Sequence, residues 1–523
     1  MVRYQAMNRY VLGIDAGTES IRAGLYDLNG NCVGFGVESN ETQHARPGWA
    51  EQSPDRWQRA MVQAVRSALA SAGVSGSQVC GLSVDGTTCT LVFADAHGRP
   101  LRDAIMWMDV RAVREAQITA DTGHTALKYV GHGPVSAEWF PCKALWVRNH
   151  EPETYERCHT ILEQTDWLTF AITGEVGANI NTASTRWFYD ARDGDYPVSF
   201  YQQLGLQEIS ERLPRPVRSI GEQAGEVSER FAAETGLLAG TPVATGGGDA
   251  WMAAIGVQTV RPGRVALITG SSQVHVGLSQ TELHARGLFG SYPDAMIPGL
   301  HVVEGGQTST GSVLNWFVKN FVGEEVHAEA RRRQCSPYDI LTARAEDIPP
   351  GSEGLVILEH WQGNRTPWVD PTSRGVIRGL TLRHTPAHVY RAILEAVAYG
   401  TEVVFRRMRE NGFAPSELIA CGGATNSPFW MQLHADVTGL PITTAQEQQA
   451  ACLGSAIAAA VGAGEYDTIG EAADAMVHTA RRIEPRPGES ERYRDFVDQY
   501  TATYEQLHEL SRELTMLAET GNT

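Results

Sequence analysis

A chain of 523 residues exceeds what one hydrophobic core supports and points to two or three domains. Its 42% hydrophobic and 20% charged content is that of a soluble globular protein, and a net charge of −18 argues against nucleic acid, whose phosphates select basic surfaces. The eight cysteines form no C-x-x-C pair and no apolar run reaches the ~18 residues of a membrane span, so neither a zinc or redox site nor a membrane helix is expected and a reduced cytoplasm is the simpler reading.

The first nine residues read as a loose leader without the apolar core of a signal peptide, and Met7 is an alternative start. Tyr10-Val11-Leu12-Gly13-Ile14-Asp15 predicts a buried strand ending in a carboxylate. A Gly17-Thr18 turn follows, then a strand over Ile21–Tyr26 and an Asn29-Gly30 turn. Backbone amides and hydroxyls in such a loop can cradle phosphate, and Asp15 beside it could hold Mg²⁺. An ordinary turn fits the same residues. Ser53-Pro54-Asp55 starts a helix to about Ala70, with Trp57, Met61, Val65 and Leu69 on one face as core. Val79 to Asp85 reads as a strand, followed by Gly86-Thr87-Thr88-Cys89-Thr90. Trp107, Asp109 and Arg111 set an aromatic, a carboxylate and a guanidinium within five residues, as a polyhydroxylated substrate requires. A surface Asp109–Arg111 ion pair at a strand end is the alternative.

Lys143 to Gly174 reads as mostly helical, and Leu213 to Val217 as a linker. Val243 to Trp251 is a short apolar run, three glycines and then Asp249 at a helix start. Three residues without β-carbons let another group approach closely. Asp249 is there either a general base or a helix cap. Arg264–Thr269 and Gln273–Leu278 form a second hairpin around Gly270-Ser271-Ser272. Aligned with the first, glycine, hydroxyl and a closing Gly-Leu recur at the same spacing. Two halves of similar fold, each with one phosphate-gripping hairpin, would hold a nucleotide from both sides. Glu304-Gly305-Gly306-Gln307 precedes a helix start, Ala387 to Glu410 is a long amphipathic helix, and Leu418 to Ser427 is strand, glycine turn and helix. His384 and His388 share an i,i+4 spacing but lack a third ligand, which reads as a pair at a helix start. Ala451 to Ala463 is a small-residue helix for tight packing, and Glu489 to Ala518 a charged terminal helix read as a solvated face or oligomer contact.

These elements, in this order, resemble the FGGY family of carbohydrate kinases over nearly the whole chain. Gly375-Val376-Ile377-Arg378-Gly379-Leu380, with His388-Val389 and Ala392-Ile393-Leu394-Glu395, is similar to the family's C-terminal signature. Lys143-Ala144-Leu145-Trp146-Val147 is similar to the N-terminal one, although Phe140 sits where a small residue or proline is usual. The resemblance implies an α/β fold of two ribonuclease H-like (actin/hexokinase-type) domains flanking a cleft. Residues 9–256 would bind sugar and carry the base, and residues 257–523 would bind ATP and end in the terminal helix. It implies Asp249 as general base and Asp15 at the Mg²⁺ position. Thr88, Trp107, Asp109, Arg186 and Glu304 would line the sugar site. Gly17, Thr18, Arg22, Thr269, Gly270, Ser271, Gly311, Asn315, Gly423 and Asn426 fall at nucleotide-contacting positions.

Within the family, Asp85-Gly86-Thr87-Thr88-Cys89-Thr90, Val135 to Phe140 and Trp361 to Arg365 look most like ribulokinases. Arg186 departs from the lysine usual there, and a planar fork is not an equal exchange. The expectation is an ATP-dependent kinase acting on a terminal hydroxyl of a ketopentose such as ribulose. Xylulose, a tetrulose such as erythrulose, or a polyol such as erythritol or glycerol remain alternatives. An actin/Hsp70-like ATPase switch is the rival from another class, set against the Asp85–Thr90 and Trp107–Arg111 pockets. A sugar-binding regulator without catalysis is disfavoured by the presence of both Asp15 and Asp249. Dimers are common in the family, but no interface is readable in the sequence.

Overall fold

The computed structural model describes residues 9–520; residues 1–8 of the leader, Met7 among them, lie outside these. Two sheets dominate. The first orders its strands Gln223–Glu226, Pro242–Ala244, Val79–Gly86, Tyr10–Ala16, Ser20–Asp27 and Cys32–Ser39. The second orders Phe289–Pro293, His301–Gln307, Gln273–Ser279, Arg264–Thr269, Glu417–Gly422, Ile442–Ala445 and Thr479–Ile483. In each, the opening strand pairs antiparallel with its hairpin partner and parallel on its other side. The Gly-hydroxyl repeat in the sequence is therefore a repeat of topology, and the fold is the expected pair of ribonuclease H-like units.

Helices Asp249–Gly256 and Ala450–Gly462 pack on each other. The second also lies on strands Tyr10–Ala16 and Val79–Gly86. It thus returns from the second half of the chain to the first sheet, across the expected boundary at Gly256. The small-residue composition explains the closeness. A Cβ on Gly454 would meet the Met252 carbonyl oxygen at 1.8 Å, and one on Gly256 would meet that of Ala450 at 1.9 Å. The backbones themselves touch. The opposite face of the first sheet is covered by helix Pro54–Ala72, whose Trp57, Met61, Val65 and Leu69 are buried as expected.

The Lys143–Gly174 stretch is mostly helical as expected, and also holds a strand, Thr160–Glu163, paired with Leu91–Ala94. The expected linker at Leu213–Val217 is irregular up to Pro216 and leads into a short strand, Val217–Arg218, paired with Ala178–Asn179. One reading needs correction. The terminal helix Pro487–Thr520 is not a solvated face alone: Tyr493, Val497, Tyr500 and Tyr504 are buried in the second half's core. Their spacing of four and three is the stripe of a packed helix.

Because the Gly454 contact is backbone to backbone, Gly454→Ala is expected to cost about 2–3 kcal/mol of stability. Urea denaturation followed by circular dichroism reads this, and an unchanged midpoint would show that the two helices can separate without loss.

Candidate active site

The Asp249 loop is built by close approach, not by unusual dihedrals. Gly246, Gly247 and Gly248 are absent from the left-handed region. A Cβ on Gly246 would meet the Val84 carbonyl oxygen at 2.0 Å, and one on Gly248 would meet Thr88 Oγ1 at 2.3 Å. The loop is pinned from several sides. Gly86 N donates to the Gly247 carbonyl at 3.3 Å, as does Thr165 Oγ1 at 3.2 Å, while Gly248 N donates to Asn181 Oδ1 at 3.0 Å. Asp249 then opens the helix Asp249–Gly256, half-buried, with Oδ1 accepting from Ala250 N at 2.7 Å. Burial, and then the negative charge of Asp15, push its carboxyl up to about 7.

Asp15 lies opposite Arg22 across the first hairpin and opposite Asp85 on the parallel strand. Arg22 Nη1 donates to Asp15 Oδ2 at 2.7 Å. Asp85 is fully buried and accepts from Ser455 Oγ at 2.6 Å, a residue of the returning helix. Burial first, then the charge of Asp15, hold Asp85 well above the carboxylate range. Burial raises Asp15 as well, but the charge and hydrogen bond of Arg22 pull it back, so of the two carboxyls Asp85 is held the higher. Asp85 Oδ1 is buried with no hydrogen-bond partner. Among the described residues no group of three or more His, Cys, Asp or Glu is placed to hold a metal alone. The donors present, Asp15 and the orphaned Asp85 oxygen, nevertheless fit Mg²⁺, which takes one or two carboxylates and completes its shell with water and phosphate.

Trp107 joins the first hairpin to the expected sugar side. Its Nε1 donates to Thr18 Oγ1 at 3.0 Å, and its backbone N donates to Thr90 Oγ1 at 3.1 Å. The Thr88 hydroxyl is buried without a partner, beside Cys89 in the left-handed region at φ 68°. An orphaned hydroxyl beside a strained residue marks a place where a ligand can bind. Lys143 Nζ, fully buried, donates to the carbonyls of Cys89 and Met106, both at 2.7 Å, and so clamps the Thr88 and Trp107 segments together.

Asp109 departs from both sequence readings. It is fully buried, and its oxygens accept from Ala50 N at 2.6 Å and from Arg111 Nε and Nη2 at 2.8 and 2.7 Å. Arg111 stacks over Trp49 at 3.7 Å. The pair is neither a surface ion pair nor free to take a sugar hydroxyl; it holds the loop behind Trp107.

Arg186 and Glu304, 118 residues apart, meet in a buried ion pair in which Arg186 Nη2 donates to both carboxylate oxygens, at 2.8 and 3.1 Å. Arg186 Nη1 also donates to Tyr292 OH at 2.6 Å, and its guanidinium lies 5.6 Å from the Trp139 and Phe289 rings. Burial works to lower the Arg186 pKa, but the charge of Glu304, its neighbours Tyr292 and Cys89 and the hydrogen bond to Glu304 together outweigh it, so Arg186 stays charged. Phe140, the departure from the N-terminal signature, stacks on Trp187 at 3.6 Å and supports this aromatic wall.

The second hairpin opens onto a cavity of about 510 Å³ lined by Gly270, Ser271, Gly311 and Asn315 together with Ser312, Trp316, Lys319 and Asn320. Thr269 behaves differently from its expected role. Its hydroxyl donates to the Cys421 carbonyl at 2.8 Å and accepts from Ala424 N at 3.1 Å. It is a strut tying the hairpin to the Gly422–Ala424 turn. Gly423 and Asn426 are exposed beyond that strut, outside the cavity lining. Gly17 is partly exposed at the tip of the first hairpin. Sequence reading missed the roles of Asn181 and Ser455, whose partners Gly248 and Asp85 are remote in the chain. It took Lys143 only as part of the N-terminal signature and passed over Lys319, which no local pattern marks. His384 and His388 accept from the backbone N–H groups of Thr381 and Thr385, at 2.9 and 3.2 Å, and so organise a helix start.

Two ribonuclease H-like sheets, a glycine hairpin from each, and a cluster of carboxylates at the strand ends of the first define a two-lobed protein of the actin/hexokinase type. Residues 10–256 match the FGGY family of carbohydrate kinases, N-terminal domain, and residues 265–463 match its C-terminal domain. A ribulokinase from Geobacillus thermodenitrificans is 35% identical over 95% of this chain and 94% of its own. One from Anoxybacillus flavithermus is 34% identical over 95% and 94%. The crystal structure of a xylulose kinase from Rhodospirillum rubrum superposes with a TM-score of 0.85 at 29% identity, covering 96% of this chain and all of that one. The chain belongs to the FGGY family of carbohydrate kinases and is a sugar kinase. No helix among the described residues is long and apolar enough to cross a membrane.

If Asp109 is the strut its geometry describes, Asp109→Asn will destabilise the protein by about 3 kcal/mol, the cost of breaking a buried ion pair. A direct sugar ligand would instead raise the sugar KM and leave the denaturation midpoint in place.

Proposed function

We propose that this kinase transfers the γ-phosphoryl group of ATP to a terminal hydroxyl of a ketopentose, ribulose foremost, with Asp249 as general base. The observation that carries the reading is the position and state of Asp249. It stands at a helix start in the cleft, its carboxyl is raised to about 7, and the pinned glycine loop leaves it little freedom. A carboxylate near that value can take the hydroxyl proton as the oxygen attacks phosphorus and is ionised in a large fraction of molecules at neutral pH.

The remaining roles follow from geometry. Trp107 would form the flat wall of the sugar site, with the Thr88 hydroxyl free to bond. Glu304, held by Arg186, would offer its remaining lone pairs to sugar hydroxyls. The amides and hydroxyls of Gly17-Thr18 and Gly270-Ser271 would cradle phosphate from both sides, with Arg22 as local positive charge. Asp15 and Asp85 would hold Mg²⁺, which when bound neutralises charge on the transferring group. The substrate assignment rests on the ribulokinase names of the two relatives at 34–35% identity. It rests also on the Asp85-to-Thr90 segment, whose Asp85 and Thr88 both keep buried polar atoms without protein partners. The similar Rhodospirillum rubrum structure is named for xylulose, so xylulose heads the alternatives, ahead of erythrulose and polyols. All eight cysteines are unpaired, which supports the cytoplasm as the compartment.

The deciding experiment is ADP release with Mg-ATP against D- and L-ketopentoses, tetruloses and polyols. A dominant response to one ribulose enantiomer is expected. A tetrulose or polyol response would overturn the sugar, and sugar-independent hydrolysis would overturn the kinase assignment in favour of an ATPase switch. Asp249→Asn is expected to lower kcat by about 10²–10⁴-fold while ADP binding persists.

The pH dependence has a definite sign. Below about 7 Asp249 is protonated and cannot accept the hydroxyl proton, so kcat/KM for the sugar should climb with pH through 7 and then level off. A profile flat from pH 5.5 to 8.5 would remove Asp249 as the base. For Arg186→Lys, the relative kcat/KM values across the sugar panel should shift while the KM for ATP stays within about twofold, because the change touches Glu304 and Tyr292 and not the hairpins.

A further inference from the structure

The chain carries three lysines against forty arginines. Two are committed: Lys143 clamps backbone carbonyls in the core, and Lys128 pairs with Glu282 at 3.1 Å. Lys319 makes no ion pair among the described residues and lines the cavity beside the second hairpin. No carboxylate lines that cavity. In a protein whose cations are nearly all arginine, what sets Lys319 apart among the described residues is a free ammonium facing a cavity beside the second hairpin.

Its placement is fixed by the helix that carries it. Gly311–Phe321 begins against the hairpin tip: Gly311 N donates to the Gly270 carbonyl at 3.2 Å, and Ser312 N and Oγ donate to the Ser271 carbonyl at 3.2 and 3.0 Å. A Cβ on Gly311 would meet the Gly270 carbonyl oxygen at 2.5 Å, so helix and hairpin form one unit. Gly311, Asn315 and Lys319 recur every four residues and share one helix face. Lys319 lies two turns beyond the hairpin, about 12 Å along the axis, which its four-carbon stem can partly recover.

We propose that Lys319 is a nucleotide-binding residue whose ammonium pairs with the polyphosphate of ATP and ADP at its α-phosphate end. The proposal rests on the reading above, in which the Gly270–Ser272 hairpin grips the terminal phosphates. From that anchor a nucleotide runs along the helix face, and a cavity of about 510 Å³ has the size of such a ligand. The first negatively charged group beyond the hairpin then falls within reach of Lys319. Half-exposed Trp316, packed edge-on against Trp361 at 5.3 Å, supplies the adjacent apolar wall for the nucleoside. On a protein of net charge −18, a local cation is also what draws a polyanion to the correct wall.

Isothermal titration of the sugar-free protein with ADP and with adenosine tests this, using wild type, Lys319→Met and Lys319→Arg. Lys319 is exposed and its loss leaves no buried group unpaired, so both variants should keep the wild-type denaturation midpoint. Lys319→Met is expected to weaken ADP about tenfold, about 1.4 kcal/mol. Its affinity for adenosine should stay unchanged, and its salt dependence for ADP should be shallower. Lys319→Arg should retain most of the ADP affinity. In turnover the KM for ATP should rise with the sugar KM unmoved. Wild-type ADP binding with an unaffected Lys319→Met variant would overturn the assignment of Lys319 and leave the nucleotide site standing. Equal losses for ADP and adenosine would overturn the phosphate contact. A wild type that binds no ADP would remove the hairpin reading and this proposal with it.

Discussion

The backbone contact between helices Asp249–Gly256 and Ala450–Gly462 is the constraint on which the site depends. Two helices this close cannot slide, because any β-carbon at Gly256 or Gly454 would collide with a carbonyl oxygen. The first helix starts with Asp249, so its axis sets the height and direction of that carboxyl in the cleft. The second brings Ser455 to Asp85 and lies on the strand that ends in Asp15. One packing contact thus places three carboxylates relative to each other. It also explains why the second half of the chain must return to the first sheet before the fold is complete.

The charges in the cleft are unbalanced by design of the same packing. Asp15, Asp85 and Asp249 converge while Arg22 alone pairs with any of them, through Asp15. Burying three carboxylates beside one guanidinium is unfavourable while all are ionised, so burial and mutual repulsion raise all three, Asp85 well above the carboxylate range and Asp249 to about 7. An incoming metal and a set of phosphates would change that balance, one adding positive charge and the other taking up the hairpin amides. The orphaned oxygens at Asp85 and Thr88 are the local sign of the same state: polar groups left unsatisfied by the protein where a ligand can satisfy them.

What the sequence made legible was local. The two hairpins show themselves because glycine and hydroxyl residues must sit at a phosphate-sized turn, and Asp249 shows itself because a strand, three glycines and a helix start are adjacent in the chain. What it hid was remote or masked. Asp85 and Ser455 are 370 residues apart, and nothing near either one announces the other. The fate of Asp109 depends on the Ala50 amide and on Trp49 covering Arg111, which turns an apparent substrate ligand into a buried strut. The four-residue strand Thr160–Glu163 is too short to show a period between two helices and exists by pairing with Leu91–Ala94. In the terminal helix the apolar stripe was present in the sequence, but the density of charge around Tyr493, Val497, Tyr500 and Tyr504 obscured it.

The Arg186–Glu304 pair shows how one substitution can change what a pocket reads. A lysine would meet Glu304 with a single rotatable ammonium and leave the carboxylate free to reorient toward a sugar. The guanidinium instead sets Nη2 on both Glu304 oxygens, at 2.8 and 3.1 Å, and Nη1 on Tyr292 OH, in one plane that lies near the Trp139 and Phe289 rings. If the pair lines the sugar pocket, as proposed, a sugar entering there would meet polar groups already oriented and largely satisfied by one another. It could add hydrogen bonds only along the lone pairs of Glu304 and Tyr292 that the guanidinium leaves open. Its hydroxyls would then have to match a fixed pattern, because the pattern could not move to match them. Selectivity would come from hydroxyl geometry more than from net charge, and the planar guanidinium would make that geometry less forgiving than a lysine would.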